Sequence, residues 1–388
     1  MATWRLDPDA THLNHGSFGA CPVEVLAHQQ DLRDRMESNP VSFMLEHYQP
    51  LLEEVRATAA GFLGADPGGL VFVPNATYGV NSVLRSWEAV LQPGDEIVVT
   101  DHAYNACRQA VDFTAARSGA RVVVAAVPFP LEGPGVVVDA VKAAVSGRTA
   151  LVMIDHVTSP TGLLFPVEEL VEQLEPEVPV LVDGAHAPGM VPVDLGAMGA
   201  SFYTANCHKW LCAPKGAAVL HVAERHRDRI SAASISHGQN GQWPSSSSDF
   251  HARFDWTGTD DPTARLSVGV AIDVMGRHRS DGWPGLMAAN HAMVREGRCI
   301  VAEAIGCEPP APPEMIGSIA ALPLPDLTGP VDSLFDDLSA RLRREWQIEV
   351  PAFIWPSPPQ RFVRISAQAY NTVADYGRLA DALVAELG

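Results

Sequence analysis

The chain has 388 residues, 47% of them hydrophobic and 19% charged, with a formal net charge of −19. A chain this long and apolar is expected to bury a large core and to divide into two lobes, because single cores stop growing near ~250–300 residues. The acidic balance opposes binding to a phosphate backbone and no Lys/Arg cluster reverses it locally, which argues against nucleic acid as a partner. No stretch reaches the ~18 uninterrupted apolar residues of a membrane span, and Met1 to Pro8 lacks the basic start and apolar run of a signal peptide. The expectation is a soluble, cytoplasmic protein with no membrane partner. The cysteines at 21, 107, 207, 212, 299 and 307 form no CxxC pair. They read as free thiols, and a Cys207/Cys212 zinc site would need two more ligands, so no metal is expected.

In chain order, 23–37 and 44–64 read as helices, the second stopped by Gly64 and Pro67. Apolar, β-branched runs at 70–74, 96–100, 121–127, 149–154, 178–183, 201–205 and 217–222 read as strands. Helical periods at 76–90, 105–118, 136–146 and 166–175 alternate with many of them. That alternation predicts an α/β fold, a mostly parallel sheet covered on both faces. His237 to Ser248 is polar and serine-rich, a surface loop within 237–250 that would be a lid if it closes over a site. From 285 the pattern changes: a long helix at 285–305, a Pro-rich link at 309–313, strands near 316–323 and 361–366, and helices at 330–345 and 372–387. We therefore expect a large domain over 14–260, a connecting segment over 261–284, and a smaller α+β domain built from 1–13 and 285–388.

Two motifs carry chemistry. Asp183-Gly184-Ala185-His186 and Ala205-Asn206-Cys207-His208-Lys209-Trp210 place a carboxylate and then a lysine after successive strands. A pyridoxal phosphate (PLP) site needs that pair: the acid keeps the pyridine nitrogen protonated and the amine holds the aldehyde. Of 27 basic residues only Lys142, Lys209 and Lys215 are lysines. Lys142 reads as the solvated face of a helix and Lys215 as part of a turn, whereas Lys209 follows a buried strand, where desolvation lowers an amine's pKa. Asn75-Ala76-Thr77 closes one strand and opens a helix, so its main-chain N–H groups and the Thr77 hydroxyl suit a phosphate. Asp101-His102-Ala103-Tyr104 closes the next strand, and His102 and Tyr104 compete to present a ring to the cofactor.

These segments, with Leu13-Asn14-His15-Gly16-Ser17-Phe18-Gly19, His156-Val157-Thr158-Ser159-Pro160-Thr161-Gly162, Gly258-Thr259 and Arg364 to Asn371, resemble the class V aminotransferase superfamily of fold-type-I PLP enzymes, most closely its isopenicillin-N-epimerase-like branch. The resemblance implies that Lys209 carries the cofactor and moves protons at Cα, with Tyr104 or His102 as a second catalytic group. Asp183 would pair with the pyridinium, and His186 would bond the phenolic oxygen in place of the Gln of cysteine desulfurases. Asn75, Ala76, Thr77, Asn206 and His208 would hold the phosphate, Asn206 standing where desulfurases carry Ser. Thr259 would reach the phosphate of a neighbouring subunit in a homodimer. Arg364 would hold a substrate carboxylate in a bidentate fork, with Asn14 and His15 beside it. Ser159 replaces a desulfurase Asn near the cofactor oxygen.

No cysteine falls in a desulfurase-type catalytic loop, since after Thr259 only Cys299 and Cys307 occur, in or beside the long helix. Isomerase or lyase chemistry is favoured over persulfide formation. The expected enzyme labilises Cα bonds of an amino-acid moiety in a secondary-metabolite substrate, of the kind found in antibiotic biosynthesis. The alternatives are a C–S β-lyase or decarboxylating deaminase on an S-conjugated cysteine, as in lincosamide tailoring, and, in another class, a non-catalytic PLP-binding protein.

Overall fold

A computed structural model of the chain describes residues 3–175, 177–240, 247–327 and 337–388. At its centre is a seven-stranded sheet: β1 Leu70–Val73, β2 Glu96–Thr100, β3 Arg121–Ala125, β4 Thr149–Asp155, β5 Val180–Asp183, β6 Phe202–Asn206 and β7 Ala218–Val222. The spatial order is β1-β7-β6-β5-β4-β2-β3. Pairings from β6 across to β3 are parallel, and β7 runs antiparallel to both β6 and β1. Two reversals restore the direction, so β1, β4, β5 and β6 all end on the same edge. β1, β2, β5, β6 and β7 are buried along their whole length. Their Val- and Ile-rich runs suit a sheet covered on both faces.

Alternate side chains of the strands serve two separate cores. Ile97, Val99, Leu151, Met153 and Leu181 pack with α3 (Ala76–Trp87) and α4 (Asn105–Ser118), which follow α1 (Val23–Ser38) and α2 (Tyr48–Leu63) in the chain. Val98, Val152, Ile154, Val180 and Val182 pack on the other face with α1, α2, α5 (Pro134–Ala144) and α6 (Val167–Leu174). This is the two-residue strand period made three-dimensional. The helix read over 44–64 does not run unbroken: Pro40–Ser42 forms one turn, Phe43–His47 a π turn, and α2 starts at Tyr48. Pro50 has no amide to give the Glu46 carbonyl, so it belongs in a first turn, and the ladder before it widens. α2 ends as expected at Gly64, whose φ of 59° suits glycine.

Part of the polar stretch read as a loop has regular structure. His237–Asn240 forms a 3-10 turn, and Ser248 caps α7 (Asp249–Asp255) by accepting the His251 amide at 3.1 Å; 241–246 lie outside the described residues. The Asp255 carboxylate meets Arg56 of α2 at 2.8 Å, both side chains 1% exposed. The span read as a connection carries the turn Thr263–Leu266 and α8 (Val268–Gly276). Val268, Ala271 and Val274 of α8 join the core of α1 and α2. Its glycines and β-branched residues disguise a helix that packing imposes.

Beyond it, α9 (Gly282–Ile305), α10 (Asp337–Trp346) and α11 (Val373–Leu387) accompany β8 (Ile319–Leu324), β9 (Ala352–Ile354) and β10 (Arg361–Ser366), an antiparallel sheet ordered β9-β10-β8. β9 was not anticipated, and 328–336, the start of the helix read at 330–345, lie outside the described residues. The N-terminal segment docks here: Thr11–His12 pairs with Ile348–Glu349, and the Leu13 carbonyl accepts the Ser366 amide at 3.0 Å. That docking carries Asn14 to Phe18 to the carboxyl edge of the large sheet. Among the described residues, no helix is long and apolar enough to cross a membrane.

Close packing fixes α3 on the sheet. A Cβ on Gly79 would stand 2.1 Å from the Thr204 Oγ1 of β6. Gly79→Ala is expected to cost about 1–3 kcal/mol of stability through overpacking, measured by urea denaturation. An unchanged midpoint would mean that α3 shifts freely.

Candidate active site

The carboxyl edge of the large sheet opens into a cavity of about 370 Å³. The chain ends of four parallel-running strands reach it: Asn75 to Thr77 after β1, Asp155 on β4, Asp183 on β5, and Asn206, His208 and Lys209 at the end of β6. Tyr104, from the turn after β2, and Ser17, Phe18, Ser159 and His186 complete much of the wall. Ligands gather at this edge of open α/β sheets because the loops diverge there and helix N-termini point into the gap.

Lys209 is the least exposed of the three lysines, for Lys142 is exposed on α5 and Lys215 donates to the Gly19 carbonyl from a surface turn. Burial lowers the Lys209 amine to about 7; Arg364 lowers it too, while Asp183 pulls the other way. Its Nζ is 3.0 Å from His186 Nε2, and the Trp210 indole N–H donates to His186 Nδ1 at 3.4 Å. With Nδ1 accepting, the proton of the neutral ring lies on Nε2 and points at the lone pair of an uncharged lysine. Burial first, then Lys209 and Arg364, keep His186 neutral, well below the ordinary imidazole range.

Asp183 is buried; its Oδ2 accepts the Cys107 thiol at 3.1 Å and its Oδ1 the Ala185 amide at 3.0 Å. Burial raises its pKa, and these two bonds and Lys209 oppose the rise. Beside it in register stands Asp155, whose buried Oδ2 has no hydrogen-bond partner among the described residues. A buried carboxylate such as Asp183 facing a cavity calls for a cationic N–H, and a protonated pyridine ring supplies one. At the other end, Asn75 Oδ1 caps the Tyr78 amide at 2.8 Å and Asn206 Oδ1 accepts the Ala76 amide at 2.9 Å. Ala76 therefore lends its backbone to Asn206, and the Thr77 amide and hydroxyl are the first-turn donors that remain at the cavity. His208 Nδ1–H donates to the Ala217 carbonyl at 3.2 Å, and burial lowers its pKa to about 4. Its Nε2 becomes a donor to an anion only on gaining a proton. The donor set fits PLP: Lys209 for the aldehyde, Asp183 for the ring nitrogen, His186 Nε2–H for the phenolic oxygen, Thr77 and the helix terminus for the phosphate.

Arg364, on β10, is buried and has no carboxylate partner among the described residues. Its Nη1 donates to the Ser159 carbonyl at 2.5 Å and hydroxyl at 3.2 Å, and its Nη2 to Ser17 Oγ at 3.1 Å. Burial lowers its pKa to about 10, leaving it charged at neutral pH. A buried cation held by neutral groups is electrostatically ready for an anion. Ser159 lines the cavity with its hydroxyl turned to this guanidinium.

Besides Arg364, which stands behind the wall, four expected residues are outside the cavity lining. His102 is fully buried, with Nδ1 2.7 Å from Thr161 Oγ1 and Nε2 3.0 Å from the Val127 carbonyl, and packs on Trp355 at 4.5 Å. It rivets the turn after β2 and does not line the cavity; of the two candidate rings, Tyr104 does. His15 also lies behind the wall, its Nε2 3.0 Å from the Lys209 carbonyl and its Nδ1 3.0 Å from the Tyr370 hydroxyl. Asn14 accepts the Ser17 hydroxyl at 2.6 Å and props Arg364 at 3.5 Å. Thr259 is exposed and away from the cavity. Asp155 and Cys107 escaped the sequence reading, though Asp155 ends its strand just as Asp183 ends the next. Cys207 and Cys212 are free buried thiols.

A lysine with this ionisation predicts a pH profile for aldehyde capture. Below about 7 the amine is protonated and capture slows about tenfold per pH unit; above it the rate levels. Borohydride-trapped PLP, followed by peptide mass mapping across pH 5–9, checks this, and Lys209→Ala removes the adduct. A midpoint near 10 would show that burial does not act on this amine.

Comparison with known proteins agrees with this geometry. Residues 19–278 match the model of the Aminotransferase class-V family. Isopenicillin N epimerase of Amycolatopsis lactamdurans is 35% identical over 97% of this chain and 95% of its own length. The probable chloroplastic L-cysteine desulfhydrase of Arabidopsis thaliana is 33% identical over 97% of this chain and 83% of its own. The complex of the cystine C–S lyase C-DES with its product cysteine persulfide shares the fold, at a TM-score of 0.81 and 20% identity, over 97% of this chain and 98% of that one. The chain belongs to the class-V aminotransferase family, with PLP as its cofactor.

Proposed function

We propose that this enzyme breaks a bond at Cα of an amino-acid substrate, with Lys209 moving the proton. The observation that carries this is a near-neutral lysine on the cavity wall, 3.0 Å from His186, with the buried Arg364 guanidinium directly behind that wall, bonded to the lining residues Ser17 and Ser159. PLP, when bound, takes up the electron pair left at Cα. Asp183 holds the ring nitrogen's charge, Thr77 and the N-terminus of α3 the phosphate, with His208 joining once the anion draws a proton onto its Nε2, and Arg364 the substrate carboxylate, which orients Cα toward Lys209. Thr259, exposed outside the cavity, serves the phosphate of a partner subunit in a homodimer.

The finer reading is epimerase-like chemistry on the amino-acid moiety of a secondary metabolite. It is supported by the similarity to isopenicillin N epimerases and by Tyr104 at the cavity wall, available as the second proton carrier that inversion needs. The rival reading is β-elimination of a thiolate from a cysteine-type substrate, which needs only one base. It is supported by the similarity to L-cysteine desulfhydrases and to a hercynylcysteine sulfoxide lyase.

Incubation in deuterated water with isopenicillin N and with S-substituted L-cysteines separates them by product mass. Inverted substrate carrying one deuteron at Cα supports the epimerase; free thiol with pyruvate supports the lyase; neither product, with no deuterium incorporated, sinks the proposal. For an epimerase, Tyr104→Phe is expected to keep deuterium exchange while losing inversion. Arg364→Ala is expected to raise KM roughly 100-fold, about 2.7 kcal/mol, and an unchanged KM would remove the carboxylate clamp.

A further inference from the structure

Asp155 and Asp183 are partners in register on the neighbouring parallel strands β4 and β5, so their side chains leave the same face of the sheet. Both are 3% exposed and both line the cavity. Their surroundings differ. Asp183 receives two hydrogen bonds, from the Cys107 thiol and the Ala185 amide. Asp155 has no such pair of bonds: the Tyr104 amide lies towards it, and its Oδ2 is buried without a hydrogen-bond partner among the described residues. A buried oxygen left bare is costly as part of a carboxylate and far less so as part of a neutral carboxyl.

We propose that Asp155 is a positioning residue that keeps its own proton, so that the pair presents a single negative charge, carried by Asp183, to the cofactor ring and to Lys209. The inference rests on the cofactor site described above and concerns a residue to which no role has been given there. The groups facing Asp155 are Asp183 from β5, Cys107 from α4 and the Tyr104 amide from the turn after β2, with Lys209 beyond Asp183. None of the first three is a cation that would hold a second carboxylate ionised. Burial and the Asp183 charge push the Asp155 carboxyl well above the ordinary carboxylate range. Function follows from the count of charges. Asp183 already pulls the Lys209 amine upward against burial. A second anion beside it would pull further, and a lysine held protonated neither captures an aldehyde nor accepts a proton.

The test uses the full chain without cofactor, then titrates PLP. An acid that holds its proton more tightly folded than unfolded stabilises the fold fully below its ordinary pKa, 3.8, and loses that contribution as pH rises toward its folded value. Asp155→Asn removes this dependence while keeping the shape. The Tm of D155N minus that of wild type is therefore expected to grow from pH 5 to pH 8, by roughly 2 °C or more. The PLP dissociation constant of D155N at pH 7 is expected to stay within about threefold of wild type, because the amide mimics a neutral acid, whereas Asp183→Asn weakens it by roughly 100-fold. A Tm difference that is flat with pH, or a D155N that loses PLP as severely as D183N, overturns the proposal. Asp155→Ser gives the same Tm readout if D155N does not fold. Wild-type PLP binding in the same titrations reports separately on the cofactor site itself.

Discussion

A desolvated lysine that gives up its charge near neutral pH is the constraint on which the rest of this molecule depends. An ammonium ion inside a protein must be paired or neutralised, and here no carboxylate among the described residues bonds it directly. The sheet buries Lys209, the Arg364 cation adds to the pressure, and the His186 Nε2–H meets the resulting lone pair at 3.0 Å. Asp183 works in the opposite sense and limits the fall. The balance of burial, one cation and one anion places the amine at the ionisation that covalent capture of an aldehyde and proton transfer both require.

The architecture supplies the distances for that balance. Strands β1 to β6 all end on one edge, so Asp155, Asp183 and the Asn206 to Lys209 turn reach one cavity without long loops. The backbone of Lys209 is clamped from behind: His15 bonds its carbonyl, and the ring of His15 lies 4.9 Å from that of Trp210. Because the His15 amide also bonds the Ser366 hydroxyl, the N-terminal segment, β10 and the lysine turn form one hydrogen-bonded assembly. Arg364 sits two residues before Ser366 on that same strand, which ties the proposed carboxylate clamp to the lysine turn.

Much of this was legible in the chain. The strands of the large sheet and the helix Asn105–Ser118 announce themselves because local period, propensity and burial agree there. Asp183 and Lys209 stand out because an acid and a lysine at strand ends have a shared chemical use, and because lysine is so scarce in this chain. The helix at Val268–Gly276 was hidden, since its residues have low helix propensity and only packing against α1 and α2 makes them helical. The turn after β2 was ambiguous for a different reason: two rings two residues apart in a turn have no periodicity to say which faces the cavity.

The amino-acid sequence by itself determined the α/β class and the family, and it singled out Lys209 and Asp183 as the candidate lysine and acid, because each rests on patterns local to a few residues or on motifs in fixed order. Only the tertiary structure decided that Tyr104 and not His102 reaches the cavity, that His15 and Asn14 support the site from behind, and that Asp155 stands beside Asp183. Those outcomes depend on contacts between residues far apart in the chain: His102 on Val127 and Thr161, His15 on Lys209 and Tyr370, Asp155 on the register of β4 with β5. Side-chain direction at a strand end or in a turn is settled by which neighbours fill the remaining volume, and that information exists only once the chain has folded.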